Sequence, residues 1–255
     1  KMIRRANSIG HHYFIANLTS KDIASSVALA VNEKHGIWYN PMTGKYHEAT
    51  IGDKGIQLNL KSGESRILIT SNKPVNEWKL GSKVKVNEKE AIATADSKTI
   101  DLTANTWKLS FTEDAPKVGE TFNLKGVKSW EGLSEKAKVM MGTGVYETTI
   151  KLSKDDAKKQ WAIDLGDVRE SARVYINNKY VGCAWAVPYI LNCKDALNKG
   201  KNTIRIEVTN LPANRIAEMD RQGVKWRKMK EINVVDINYK KTTYENWTPV
   251  PSGLN

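Results

Sequence analysis

The feature that most constrains this chain is a period of two in its apolar residues. Ile56, Leu58 and Leu60 alternate with Gln57, Asn59 and Lys61, and Ile204, Ile206 and Val208 alternate with Arg205, Glu207 and Thr209. Val27, Leu29 and Val31 alternate in the same way with small residues. Successive side chains of a strand point to opposite faces, so this pattern builds sheets with one buried and one wet face, as antiparallel sheets have. Turn signals recur at short intervals: Asn40-Pro41, Thr43-Gly44, Ser62-Gly63, Asn177-Asn178 and Lys199-Gly200. Short strands with frequent turns predict sandwiches or barrels. Helical signals are few, with single turns expected over 155–159 and 195–198 and a slightly longer one over 213–221.

The fold class expected is therefore all-β, and 255 residues are enough for two such domains, each with its own core. Ser71-Asn72-Lys73-Pro74 reads as a boundary. The expected division is a β-sandwich over 1–72, a lysine-rich linker or lead-in over 73–100, and a second domain over 101–255. The longest apolar runs fall far short of the roughly 18 residues of a membrane span, so no membrane partner is expected. No signal segment is visible. The chain does not open on Met and is read as a segment of a longer polypeptide. Cys183 and Cys193 have no zinc-type spacing and are read as buried free thiols, with a single disulfide left open.

The net charge of +12 raises the question of a polyanionic partner. The lysines, however, are spread along the whole chain, as a solvated face has them. The one dense stretch is Arg221, Lys225, Trp226, Arg227, Lys228 and Lys230. With one aromatic and no nucleic-acid motif, it reads as a solvated or packed loop or as a contact for an acidic polysaccharide, and no nucleic-acid partner is expected.

Residues 144–210 carry a series of ordered blocks. These are the strand Gly144-Val145-Tyr146-Glu147-Thr148-Thr149-Ile150, the hairpin Val174-Tyr175-Ile176-Asn177-Asn178-Lys179-Tyr180-Val181-Gly182, Pro188-Tyr189, Asp195-Ala196-Leu197, and Gly200-Lys201-Asn202-Thr203-Ile204. Their order resembles the sugar-binding jelly roll of family 2-type glycoside hydrolases, a galactose-binding-like fold. The family usually has Gly where Asn178 stands; Asn tolerates the left-handed conformation that a type I′ hairpin needs. Trp107-Lys108-Leu109-Ser110-Phe111, Ser129-Trp130, Thr209-Asn210-Leu211-Pro212-Ala213-Asn214-Arg215-Ile216, and in the first domain Trp38-Tyr39-Asn40-Pro41-Met42-Thr43-Gly44, resemble the C-terminal region of family 106 α-L-rhamnosidase-like enzymes.

The resemblance implies two β-sandwich domains, the second a galactose-binding-like jelly roll, in the accessory region of a secreted or periplasmic glycoside hydrolase. The catalytic barrel of such a parent lies N-terminal to this region and would be a partner of it. Its two carboxylates are not assigned here. No GxSxG or HExxH motif is present, and His11 and His12, adjacent on a predicted strand, face opposite ways and cannot chelate one metal. Asp164, Asp167 and Asn177 offer oxygens for a structural calcium, but no defined loop supports one, so neither a metal nor a cofactor is expected.

Sugars present apolar C–H faces that stack on aromatic rings. Trp38, Trp107 and Trp161, on or beside strands, are expected in the core. Trp130, Trp185, Trp226 and Trp247 fall in predicted loops, where functional residues concentrate. The candidate carbohydrate-binding set is Trp130, Trp185, Asn210, Asn214, Arg215 and Trp226, with loop stabilisation the alternative for the two asparagines and Arg215. The function expected is that of a non-catalytic accessory region; an independent carbohydrate-binding module and a purely structural module are the alternatives.

Overall fold

A computed structural model describes residues 1–41, 45–78, 98–228, 237–238, 240 and 242–255. The chain divides into two compact units, Lys1–Ser97 and Lys98–Asn255. Most of the expected linker, 79–97, lies outside the described residues, as does Lys230 of the basic stretch. The near edge of that linker packs with the first unit: Val75–Glu77 form a 3-10 turn, and buried Trp78 donates its indole N–H to the Lys73 carbonyl at 2.8 Å.

The first unit holds β1 (Met2–Ala6), β2 (Gly10–Ala16), β3 (Ile23–Val27), β4 (His35–Asn40), β5 (Lys45–Ala49), β6 (Ile51–Gly52), β7 (Gly55–Leu60) and β8 (Ser65–Ser71). They form a five-stranded sheet in the order β1-β2-β8-β4-β5 and a three-stranded sheet in the order β3-β7-β6, all pairs antiparallel. Tyr13, Ile15, Trp38 and Leu68 of the larger sheet pack with Ile56, Leu58 and Leu60 of the smaller, as the alternation predicts. Val27 ends a strand that begins at Ile23, and Leu29 and Val31 pack on the core from the connection that follows. Buried Glu33 in that connection is hydrogen-bonded to Thr70 and to the His11 ring at 2.7 Å, so His11 serves pairing while His12 stands beside it on β2.

The second unit is built on a six-stranded antiparallel sheet. Its strands are β9 (Thr106–Ala115), β10 (Phe122–Lys125), β11 (Met141–Leu152), β14 (Ser171–Ile176), β15 (Lys179–Ala184) and β17 (Gly200–Thr209), in the order β10-β9-β11-β17-β14-β15. Two short pairs make the opposite layer: β12 (Ala162–Asp164) with β16 (Ile190–Asn192), and β13 (Val168–Arg169) with β18 (Gly253–Leu254). Trp107, Leu109, Tyr146, Val174, Ile204, Ile206 and Val208 of the sheet bury against Ile163, Val168, Cys193 and Leu254 of that layer. Asn177 and Asn178 sit at φ 53° and 64°, the two-residue turn the sequence predicts between β14 and β15. Asn177 is also anchored, its Oδ1 accepting the Thr203 N–H at 3.0 Å and its amide donating to the Ala196 carbonyl at 2.9 Å. Both cysteines are free, Cys193 buried and Cys183 half-buried.

Among the described residues two α-helices interrupt this all-β plan: α1 (Glu135–Val139) and α2 (Ala213–Arg221). The second was expected from sequence; the first was not, although Ser134 caps it by accepting the Ala137 N–H at 3.2 Å. Among the described residues no helix is long and apolar enough to cross a membrane.

Candidate carbohydrate-contact site

The expected site residues divide into those used for packing and those presented to solvent. Trp130 belongs to the first kind, and its expected place in an open loop is corrected. It opens a 3-10 turn, is 0% exposed, and donates its indole N–H to the Tyr146 hydroxyl at 2.6 Å. A Cβ at Gly144 would stand 2.4 Å from its ring and one at Gly253 2.3 Å from its Nε1, so the indole fills a slot with no face left for a ligand.

Asn210 and Asn214 tie the chain together on either side of the start of α2. Asn210 accepts the Gly142 N–H at 3.0 Å and donates both amide hydrogens, to the Met140 carbonyl and the Ser252 hydroxyl. Asn214 is buried and exchanges two 2.8 Å bonds with the backbone of Val250, acting as a strand partner would for a residue 36 positions away. Arg215, half-buried, borders a recess of about 420 Å³ between α1 and α2, together with Glu135 and Glu218.

The solvent-facing kind gathers at the other end of α2. Asp220 accepts the Trp226 indole N–H at 2.7 Å on one oxygen, and the Tyr244 N–H at 2.8 Å and the Thr243 hydroxyl at 3.4 Å on the other. These bonds, that from Tyr244 foremost and that from Trp226 next, hold its carboxyl below the usual carboxylate range. One carboxylate thereby folds residues 226–227 back onto the helix and fixes 243–244 beside them. The rings of Trp226 and Tyr244 lie 6.4 Å apart at 31°, and those of Tyr244 and Trp247 4.5 Å apart at 59°. The Arg227 guanidinium stands 5.0 Å from the Trp226 ring and 5.3 Å from the Tyr244 ring, within cation–π range. Trp247 is 51% exposed, while Trp226 and Tyr244 are half-buried. Trp185 is 57% exposed on the connection between β15 and β16.

Of the six candidates, this cluster contains only Trp226. Tyr244 and Asp220 carry it equally, and sequence reasoning missed both because they lie 24 residues apart and share no period. The arrangement offers apolar ring faces beside a fixed cation, the kind of surface a sugar ring can stack on while its polar groups are held. Among the described residues no cluster of three or more His, Cys, Asp or Glu stands placed to hold a metal. The three oxygen-bearing residues considered for calcium have other partners: Asp164 accepts the Gly166 N–H, Asp167 pairs with Arg169 at 2.9 Å, and Asn177 holds the hairpin.

The fold defines a class: two β-sandwich units, the second similar to a galactose-binding-like domain. Residues 133–251 match the family described as "Glycosyl hydrolase 2 galactose-binding domain-like". A protein of Formosa agariphila named "Putative beta-glucuronidase" is 26% identical over 212 residues, covering 76% of this chain and 18% of its own length. The solved structure of a rhamnosidase from Novosphingobium sp. PP1Y superposes with a TM-score of 0.65 at 20% identity, over 99% of this chain and 23% of that one. It shares the fold of both units. The chain thus spans about a fifth of the length of these two relatives. Within the second unit, residues 133–251 are thus similar to a glycosyl hydrolase 2 galactose-binding-like domain, and the β-sandwich fold is shared with the rhamnosidase structure.

Proposed function

We propose that this chain is the non-catalytic accessory region of a secreted or periplasmic glycoside hydrolase of rhamnosidase-like architecture, supporting that enzyme's catalytic barrel and contacting its carbohydrate. The observation that carries the carbohydrate contact is the ring cluster of Trp226, Tyr244 and Trp247, with the Trp247 face exposed and one guanidinium beside the other two rings. Trp185, exposed elsewhere on the same domain, is a second stacking face. The name of the Formosa agariphila relative and the fold of the Novosphingobium rhamnosidase support a glycoside as the ligand class, rhamnose-containing or acidic.

A glycan screen of the chain, with rhamnose-containing and uronate-containing oligosaccharides, tests the reading by tryptophan fluorescence and calorimetry. Saturable binding that weakens at least about fivefold in Trp247→Ala is expected, taking the roughly 1–3 kcal/mol of a stacked nucleobase as a guide to a stacked ring. A purely structural module is the second reading, favoured by the burial of Trp130, Asn210 and Asn214 in packing bonds. The absence of binding to every glycan would select it.

A further inference from the structure

We infer that the cluster around Asp220 is a subsite for a carboxylate-bearing sugar, a hexuronate residue of an acidic glycan, with Arg227 receiving the carboxylate and Tyr244 and Trp247 taking the apolar ring face. This rests on the carbohydrate-contact reading above and gives it a ligand class.

The first ground is the state of Arg227. Its guanidinium has five donors in a planar fork, yet among the described residues it makes no hydrogen bond; Nη2 is buried without a partner. Among the described residues, the acid oxygen paired with it is Oδ2 of Asp220, at 4.0 Å. Asp220 does not need Arg227, because Trp226, Tyr244 and Thr243 already donate to it. The Arg227 side chain is held by the rings and keeps 20% of its surface exposed, while Nη2 itself is buried, so a carboxylate would meet the guanidinium at its outer edge. A guanidinium fixed in place with only a long contact to Asp220 and no hydrogen bond to an oxyanion among the described residues matches a planar carboxylate in shape and charge.

The second ground is the surrounding charge. Over 213–228 five basic residues, Arg215, Arg221, Lys225, Arg227 and Lys228, face two acidic ones, Glu218 and Asp220. Glu218 is taken up by Arg221 at 2.9 Å and by Gln222, and Lys225 and Lys228 are exposed. Glu245 is the one carboxylate over 242–255. The field at the rings therefore favours an anion.

The third ground is the ring geometry. Tyr244 and Trp247 meet at 59° with centroids 4.5 Å apart, an open angle that exposes the Trp247 face rather than closing it in a stack. The guanidinium stands 5.3 Å from the Tyr244 ring that Trp247 abuts, so Tyr244 is shared between the cation and the exposed ring. A six-membered sugar on these rings would carry its acid group toward the guanidinium.

The decisive comparison uses the chain with an oligogalacturonate and with the same oligosaccharide after its carboxyl groups have been reduced to alcohols. Calorimetry is expected to show the acid form binding at least about tenfold more tightly, since hydrogen bonds to charged groups are worth roughly 1.5–3 kcal/mol. High salt should shrink that preference. Arg227→Gln should bring the two ligands to the same Kd, and Arg227→Lys should restore part of the difference. Equal binding of both ligands by the unaltered chain would overturn the carboxylate subsite and leave the carbohydrate reading standing. A preference that survives Arg227→Gln would overturn the role of Arg227. No binding of either ligand, or of any glycan in the screen, would overturn both readings.

Discussion

The Tyr146 hydroxyl accepts the Trp130 indole N–H at 2.6 Å and, from the closing segment of the chain, the backbone N–H of Leu254 at 3.1 Å. One buried oxygen thereby joins the 3-10 turn at Trp130, the central strand β11 and the closing strand β18. Tyr146→Phe would leave both donors buried and unpaired, at a cost of about 1–3 kcal/mol each. Urea unfolding should show a loss of about 2–6 kcal/mol; a variant as stable as the parent would remove this oxygen from the account of how the unit closes.

The same slot makes Gly253 intolerant of a side chain. Its φ is 93°, and a Cβ would lie 2.3 Å from Trp130 Nε1 and 2.4 Å from the Tyr146 hydroxyl. Gly253→Ala combines a backbone penalty of about 1–2 kcal/mol with that clash, and the melting temperature is expected to fall by several degrees or more. Gly223→Ala is the control for backbone penalty alone, since nothing stands within 4 Å of its Cβ position at φ 65°.

Alkaline pH should loosen the second unit in two overlapping steps. Burial pushes the Cys193 thiol up to about 11 and the Tyr146 hydroxyl up to about 12. Both groups bind their proton more tightly folded than unfolded, so their contribution is complete below about pH 9 and is lost as pH climbs from about 9 to 12. The combined loss is on the order of 3–5 kcal/mol at the top of that range. Chemical denaturation repeated across pH should show stability falling there, and Cys193→Ala should flatten the lower part of the slope. An unchanged slope in that variant would exclude Cys193 as a contributor.

The two thiols differ in access, half-buried at Cys183 and buried at Cys193. A small disulfide reagent near neutral pH is expected to label Cys183 in the folded chain and Cys193 only on unfolding. Simultaneous labelling of both would place the opening of the second unit on the labelling timescale.

At the β14–β15 hairpin the two asparagines should respond in opposite ways. Asn178→Gly relieves a left-handed residue at φ 64° and should be neutral or stabilising by up to about 1 kcal/mol. Asn177→Ala removes three side-chain bonds, to Thr203, Ala196 and Asn202, and should cost about 2 kcal/mol or more. Thermal unfolding of the pair checks both signs.

Period and turn chemistry made the scaffold legible. Ile204, Ile206 and Val208 announce their buried face because a strand admits one alternation, and Asn177-Asn178 announces its turn because few residues accept positive φ. The helix at Ala213–Arg221 is also where sequence expects it. Trp130 was misplaced because Ser129-Trp130-Glu131-Gly132 has no period and reads as an open turn. What buries it is Tyr146 and the strand at Gly253, distant in sequence and visible only once the sheet has formed. The aromatic cluster was half legible: Trp226, Trp247 and Arg227 stand out by residue type. Asp220, which gathers them, looks like any helix-terminal acid until Tyr244 is folded back onto it.

The pairing of β13 with β18 bears on how the second unit is made on the ribosome. Val168 and Arg169 are synthesised long before their partners Leu254 and Gly253, and Trp130 earlier still. While the chain grows, the six-stranded sheet can assemble from residues up to Thr209, but its apolar face around Trp130 stays uncovered until residue 254 emerges. The nascent unit therefore passes through a stage in which a nearly complete sheet exposes a large indole, and a chaperone acting during translation would find its binding surface there.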